Sequence, residues 1–219
     1  PKKYYLSVHL EPLSKQNFEL YAPTDAKDSV CVRVMKIQRL STFTCEQHRI
    51  LPIRDGRVCW KDTNDLALAQ VFERHHKTGL VGTALLSGCC LHRGAVATTW
   101  AHDHHNLLVI GCDEHDMAVA ANAVISFQGG IAVVENGAGV AKMPLQVAGI
   151  LTVVPLKVAG TQLSKVTYAL KNLGWSNANP IMSMGPVALP VSPELKVTDR
   201  GLIDVRSGSI TSLFVNKKE

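Results

Sequence analysis

Apolar and polar residues alternate through the opening of the chain. "KYYLSVHL" (3–10) and "SVCVRVMKI" (29–37) repeat every second residue and are rich in β-branched and aromatic side chains, as strands are. "HRILPIRDGRVCW" (48–60) predicts a hairpin closed at Asp55-Gly56, where glycine tolerates the positive φ of a tight turn. The period then changes. In "DTNDLALAQVFERHHKTG" (62–79), Leu68, Val71, Phe72 and His75 fall on one helical face, Asp62 or Thr63 can cap the start, and Gly79 lies past the end. On that helix Glu73 would sit four residues before Lys77 and pair with it.

Two short strands follow, 94–100 and 106–110, with a polar tip between them. Asp113 caps a helix whose stripe is Met117, Ala121, Val124 and Phe127, and Gly129-Gly130 stops it. "IAVVENGAGVAKM" (131–143) predicts another hairpin, turning at Asn136-Gly137. A third helix is expected over 161–173, with Leu163, Val166, Leu170 and Leu173 inward. The remainder, rich in Pro, Gly and Ser, predicts a long ordered loop with short strands, with disorder confined to the terminal "NKKE". Strands mixed with about three packed helices give an α+β fold with mixed or antiparallel sheets. The change from strands alone to mixed structure, near residues 50–60, is the best candidate boundary.

Composition narrows the function. The 219 residues are 46% hydrophobic and 19% charged, an ordinary globular balance, with a net charge of +5. The basic residues are scattered and not interleaved with aromatics, which argues against nucleic-acid binding. No apolar run is long enough to span a bilayer. Six cysteines without a C-x-x-C pair predict reduced thiols in a cytoplasmic protein. The first residue is Pro, not Met, which suggests a fragment or a processed product.

Seven of the nine histidines lie between His75 and His115. The densest stretch is "TTWAHDHHNLLVIG" (98–111), with His102, Asp103, His104, His105 and Asn106 together. His102-x-His104 has chelating spacing, and Glu73, His75 or His92 would be candidate further ligands. The same residues also suit a hairpin tip bonded to its own backbone, or an active-site turn with imidazoles for proton transfer. Spacing leaves these three readings open. Other motifs fail. His9-x-Glu11 lacks the P-C-x-x-C partner of the zinc nucleobase deaminases. Gly137-x-Gly139 is followed by Pro144 instead of a helix start. Cys89-Cys90 beside His92 fits a buried core better than a nucleophile.

Several runs together carry a resemblance. "VFERHHKTG" (71–79), "RGAVATTWAHDHHNLLVIG" (93–111), "DEHDMAVAANAV" (113–124), "GGIAVVENG" (129–137), "PLQVAGI" (144–150) and "LPVSPELKVTDRGLIDV" (189–205) resemble the carboxy-terminal part of microbial adenine deaminase, in the same order. "VHLEPLSKQNFELYAP" (8–23) is similar to the segment that follows the catalytic barrel in that family. The resemblance implies a metal-dependent amidohydrolase that hydrolyses adenine to hypoxanthine and ammonia in purine salvage. It also implies that Mn, Fe or Zn is bound by a barrel this chain does not contain, in the same or a partner chain, with no metal ligand expected here. Alone, the chain would then not deaminate adenine.

On the family's A-H-D-x-H-N and F-E-R-H patterns, His102, Asp103 and His105 become the expected catalytic residues. Asp103 would orient an imidazole. Asn106, Glu73 and His75 become the expected substrate-side residues. His104 falls on the variable position and reads as a bystander. Residues 1–50 would be the strand-rich flank of the barrel and 51–219 the carboxy-terminal domain, with a homo-oligomer expected. The rival reading is a non-catalytic accessory or oligomerisation domain.

Overall fold

The computed structural model describes residues 2–215; the expectation for "NKKE" lies outside them. Its centre is one nine-stranded sheet in the order β3-β2-β1-β5-β4-β7-β6-β8-β9. The strands are β1 (Ser29–Ile37), β2 (Thr44–Arg54), β3 (Arg57–Val58), β4 (Ala67–Phe72), β5 (Val81–Gly88), β6 (Ala95–Thr98), β7 (Leu107–Gly111), β8 (Gly130–Glu135) and β9 (Ala138–Pro144). Every pairing is antiparallel except β1 with β5. A second, three-stranded sheet is made of β10 (Leu195–Thr198), β11 (Gly201–Asp204) and β12 (Ser209–Thr211). Helices α1 (Glu114–Ser126), α2 (Leu156–Asn172) and the short α3 (Pro180–Met184) complete an α+β fold.

The large sheet is covered on both faces. On one, Ala69, Val71, Leu86, Ile110 and Val133 pack with Val166 and Leu170 of α2, with Leu173 and Trp175 just beyond it, and with Leu195 and Val197 of β10. On the other, Leu68, Phe72, Leu85, Val109 and Val134 pack with Met117, Ala121 and Val124 of α1 and with Phe18 and Trp60. Each buried Leu or Val contributes about 1.5–3 kcal/mol, so the sheet holds the loops at its ends on a stiff base.

That double burial corrects the helix predicted over 62–79. All six residues of β4 are buried. A strand apolar on both faces has no period of two, and its run of alanines and leucines imitates a helical stripe. Leu68 and Phe72 therefore face one core while Val71 faces the other. Two smaller corrections follow. The expected strand over 3–10 is a 3-10 turn, Lys2–Tyr5, followed by irregular chain. The third helix begins earlier than residue 161, at Leu156 behind Pro155, because Gly160 faces open space and interrupts nothing.

Elsewhere pattern and structure agree. Asp113 caps α1 by accepting the N–H groups of His115 (2.8 Å) and Asp116 (3.1 Å). Asp55-Gly56 and Asn136-Gly137 turn the two hairpins with positive φ at all four residues. The division suggested near residue 50 falls inside β2.

Candidate functional site

One end of the large sheet gathers the residues singled out above. Phe72, the last residue of β4, pairs with Leu107, the first of β7. The 73–80 loop leaving β4 therefore lies beside the 99–106 connection that joins β6 to β7. The start of β8 and the segment after β9 are held there too: Thr99 N–H donates to Gly130 O (3.0 Å), and Thr99 Oγ1 accepts from Gly130 N–H (2.8 Å) and donates to Gly149 O (2.6 Å).

Glu73 is 5% exposed, and its carboxylate turns back onto its own loop. It accepts the N–H groups of His75 (2.5 Å), His76 (2.9 Å) and Thr78 (3.2 Å) and the Thr78 hydroxyl (3.1 Å). Burial pushes its pKa up, but the bonds from Thr78, His75 and His76 outweigh that and hold it below the ordinary glutamate value. The expected pairing with Lys77 is replaced by this backbone cradle. His75 is exposed, and its Nε2 lies 3.1 Å from His104 O. Burial and the neighbouring Arg74 lower its pKa.

Asn106 is buried. Its Oδ1 accepts Arg74 N–H (3.2 Å), and its own N–H donates to His104 Nδ1 (2.9 Å). His104 Nε2 lies 3.0 Å from Ala188 O, so the neutral ring donates at Nε2 and accepts at Nδ1. Burial keeps the ring neutral by lowering its pKa. His104 is thus the best-anchored histidine of the tip, joining it to the 185–188 turn. His104, read as a bystander to the chemistry, is hydrogen-bonded at both ring nitrogens and so has a structural part in the turn.

The other three tip residues are differently placed. Asp103 is exposed and, among the described residues, makes no hydrogen bond to an imidazole. The His102 and His105 rings meet edge to face at 5.6 Å between centroids, and Trp100 flanks His102 at 6.2 Å. His105 has φ +48, and its N–H donates to Ala101 O (2.7 Å). Its Nδ1 is buried and has no partner. Burial first, then the His102 charge, lower the His105 pKa, against a hydrogen bond to the Thr99 backbone. Burial thus favours the neutral ring, and Nδ1 is the ring atom left without a hydrogen-bond partner.

Sequence reasoning missed Arg74, the hub of this end of the molecule. Its guanidinium donates to His105 O (2.5 Å), Ala148 O (2.9 Å) and Ser7 O. The helical reading of 62–79 hid it, because Arg74 falls off the stripe of Leu68, Val71, Phe72 and His75. Read as a buried strand leaving the sheet, the same run puts Glu73-Arg74 inside the protein. Among the described residues, no three His, Cys, Asp or Glu side chains group as ligands for an ion. No helix there is long and apolar enough to cross a membrane. The six cysteines are free thiols.

Known proteins share this arrangement of sequence. The profile of the family described as "Adenine deaminase C-terminal domain" matches residues 41–209. The chain is 47% identical over 218 residues to "Adenine deaminase 2" of Shouchella clausii, covering 100% of this chain and 38% of the relative. It is 42% identical over 212 residues to "Adenine deaminase" of Clostridium perfringens, covering 97% and 37%. It is 40% identical over 215 residues to "Adenine deaminase 2" of Oenococcus oeni, covering 98% and 38%. The chain thus spans well under half the length of these relatives, each named for a hydrolytic deaminase. With the profile matched over most of its length, it belongs to the adenine deaminase C-terminal domain family.

Proposed function

We propose that this chain forms the carboxy-terminal part of an enzyme that converts adenine and water to hypoxanthine and ammonia, in cytoplasmic purine salvage. Water adds its oxygen to the carbon bearing the amino group. That amino group leaves as ammonia with one added proton from the water, and the water's other proton stays on the purine ring as hypoxanthine's ring N–H. In this reading a metal-dependent amidohydrolase barrel, in the same or a partner chain, supplies a Mn, Fe or Zn ion. Among the described residues no three His, Cys, Asp or Glu side chains group as ligands for such an ion. Residues 1–50 flank the barrel, and the assembly is a homo-oligomer.

The observation that carries the reading is the division of labour at the tip. Glu73, Asn106 and His104 are fully engaged inside the protein, whereas His102, Asp103 and the Nδ1 atom of His105 are not. His105 is the group suited to hold or pass a proton at Nδ1. Asp103, beside it, favours the charged ring once the proton arrives. Glu73, His75 and Asn106, expected at the substrate, serve in this reading to hold the tip in place.

The test is ammonia release from adenine with Mn²⁺, Fe²⁺ or Zn²⁺, using this chain alone, a barrel partner alone, and the two together. Release only with the barrel present, and faster when both are present, is the expected result. Turnover by this chain alone would overturn the need for a barrel. A barrel indifferent to this chain would favour an accessory or oligomerisation domain.

A further inference from the structure

Arg74 is 1% exposed. Among the described residues it has no ion-pair partner. The adjacent carboxylate of Glu73 is turned into its own loop. Burying a guanidinium costs several kcal/mol, and neutral carbonyls return less than a carboxylate would. Burial accordingly draws its pKa down to about 10, with Glu73 acting in the opposite sense. Such a cation is a costly way to fill space, and its geometry indicates what it does.

The fork reaches three carbonyls distant in sequence: Ser7, His105 and Ala148, lying 67, 31 and 74 residues from it. Its backbone joins in as well. Arg74 N–H donates to Asn106 Oδ1 (3.2 Å), and Arg74 O accepts His9 N–H (2.9 Å). The fit is close. A Cβ at Gly149, where φ is +73, would stand 3.1 Å from both terminal nitrogens of the guanidinium.

His105 is the member of this set with a possible chemical role, and it is pinned on both sides. Its N–H is held by Ala101 O and its carbonyl by Arg74 Nε. A non-glycine residue at φ +48 persists only where the surroundings over-determine it. We infer that Arg74 is a positioning residue for the tip, a buried strut that fixes the His105 backbone, and hence the direction of Nδ1, by tying it to the 7–9 segment and to Ala148. The inference deepens the proposed deaminase site and takes its functional meaning from it, but its geometry is testable without any turnover. Lysine cannot substitute, because a single ammonium does not span three carbonyls set around a planar fork.

The experiment is NMR on the isotope-labelled 219-residue chain. In the unaltered protein the Arg74 Nε proton should exchange about a hundredfold more slowly than that of exposed Arg54, since local opening is needed to release it. Equal rates would overturn the inference, and this arm needs no variant to fold. R74K and R74Q should each shift or double the His105 ring signals. They should also speed exchange of the His105 N–H at least about tenfold while Ile110 and Val133 stay protected. D116A is the control. It removes both acceptors of the 136–137 turn at the opposite end of β8, where Asp116 accepts Asn136 N–H (3.0 Å) and Gly137 N–H (2.6 Å), and it should leave His105 unchanged. Unaltered His105 signals and titration midpoint in R74K would overturn the strut. Altered His105 signals in a domain that never assists a barrel would keep the strut and remove the deaminase reading alone.

Discussion

The 73–79 loop and the 101–106 tip leave neighbouring strands at the same end of the sheet, and both carry histidines, yet they are built around opposite solutions. The loop has a carboxylate at its centre and folds around it: Glu73 takes three backbone N–H groups and a hydroxyl, and its histidines are exposed, with His75 reaching His104 O. The tip keeps polar atoms in reserve. His104 and Asn106 hold its backbone, while the His105 Nδ1 is buried without a partner and Asp103 is exposed. A self-contained loop is what a scaffold needs. An unpartnered buried nitrogen is destabilising, and it leaves His105 Nδ1 as the buried atom of the tip open to a further hydrogen bond.

The comparison is broken first by removing its best-satisfied member. Glu73→Ala leaves several N–H groups without an acceptor and should destabilise the domain by about 3 kcal/mol. Thermal unfolding would then fall by roughly 6–12 °C. A change of under about 1 °C would show that the cradle is dispensable and that Glu73 is free to serve a substrate after all. Next comes His104→Ala, which removes the link to Ala188 O and the acceptor for Asn106 N–H, with an expected loss of about 1–2 kcal/mol. A null result there would restore His104 to the status of a bystander.

Acid should separate the two regions in order. His75, His104 and His105 all have pKa values below the ordinary 6.5, chiefly through burial. The unfolded chain therefore takes up protons at these rings first. Their neutral-ring stability is complete above 6.5 and is lost as pH falls through that value toward the folded ones. Glu73 lies below its ordinary 4.5, so its contribution is present above 4.5 and disappears only as pH falls through its lower folded value. Hydrogen exchange followed on lowering the pH should show the 101–106 amides losing protection before those of His75, His76 and Thr78. Simultaneous loss would mean that the two regions are one cooperative unit.

The same contrast explains what was legible in the sequence. Hairpin turns and the α1 cap were, because Asp55-Gly56, Asn136-Gly137 and Asp113 act through their own local chemistry. β4 was not, because whether "ALAQVF" is a strand depends on two cores assembled from distant segments. The site divided in the same way. The run of imidazoles at 102–105 announced itself, and the family patterns ranked its members. Which side chains face inward was decided by partners far along the chain, such as Ala188 for His104 and Ser7 and Ala148 for Arg74. Spacing carries no record of such partners, so the best-anchored histidine read as incidental and the central arginine was passed over.

The smallest expected effect on the fold belongs to Asp103→Asn, and it is the one that bears most directly on chemistry. The side chain is exposed and makes no hydrogen bond to an imidazole among the described residues, so stability should move by less than about 0.5 kcal/mol. If Asp103 supports a charged ring at His105, the same change in a deaminase carrying this domain should lower turnover about a hundredfold. Metal content should not change, because no ion is bound by this residue in the proposed arrangement. His102→Asn should behave alike, since its ring touches His105 and Trp100 without a hydrogen bond among the described residues. Wild-type turnover in both variants would reduce the tip to a turn. Lost turnover at unchanged stability is the outcome that a purely structural tip cannot produce, because the side chains that support the tip, Glu73, Arg74, His75, His104 and Asn106, would have been left untouched.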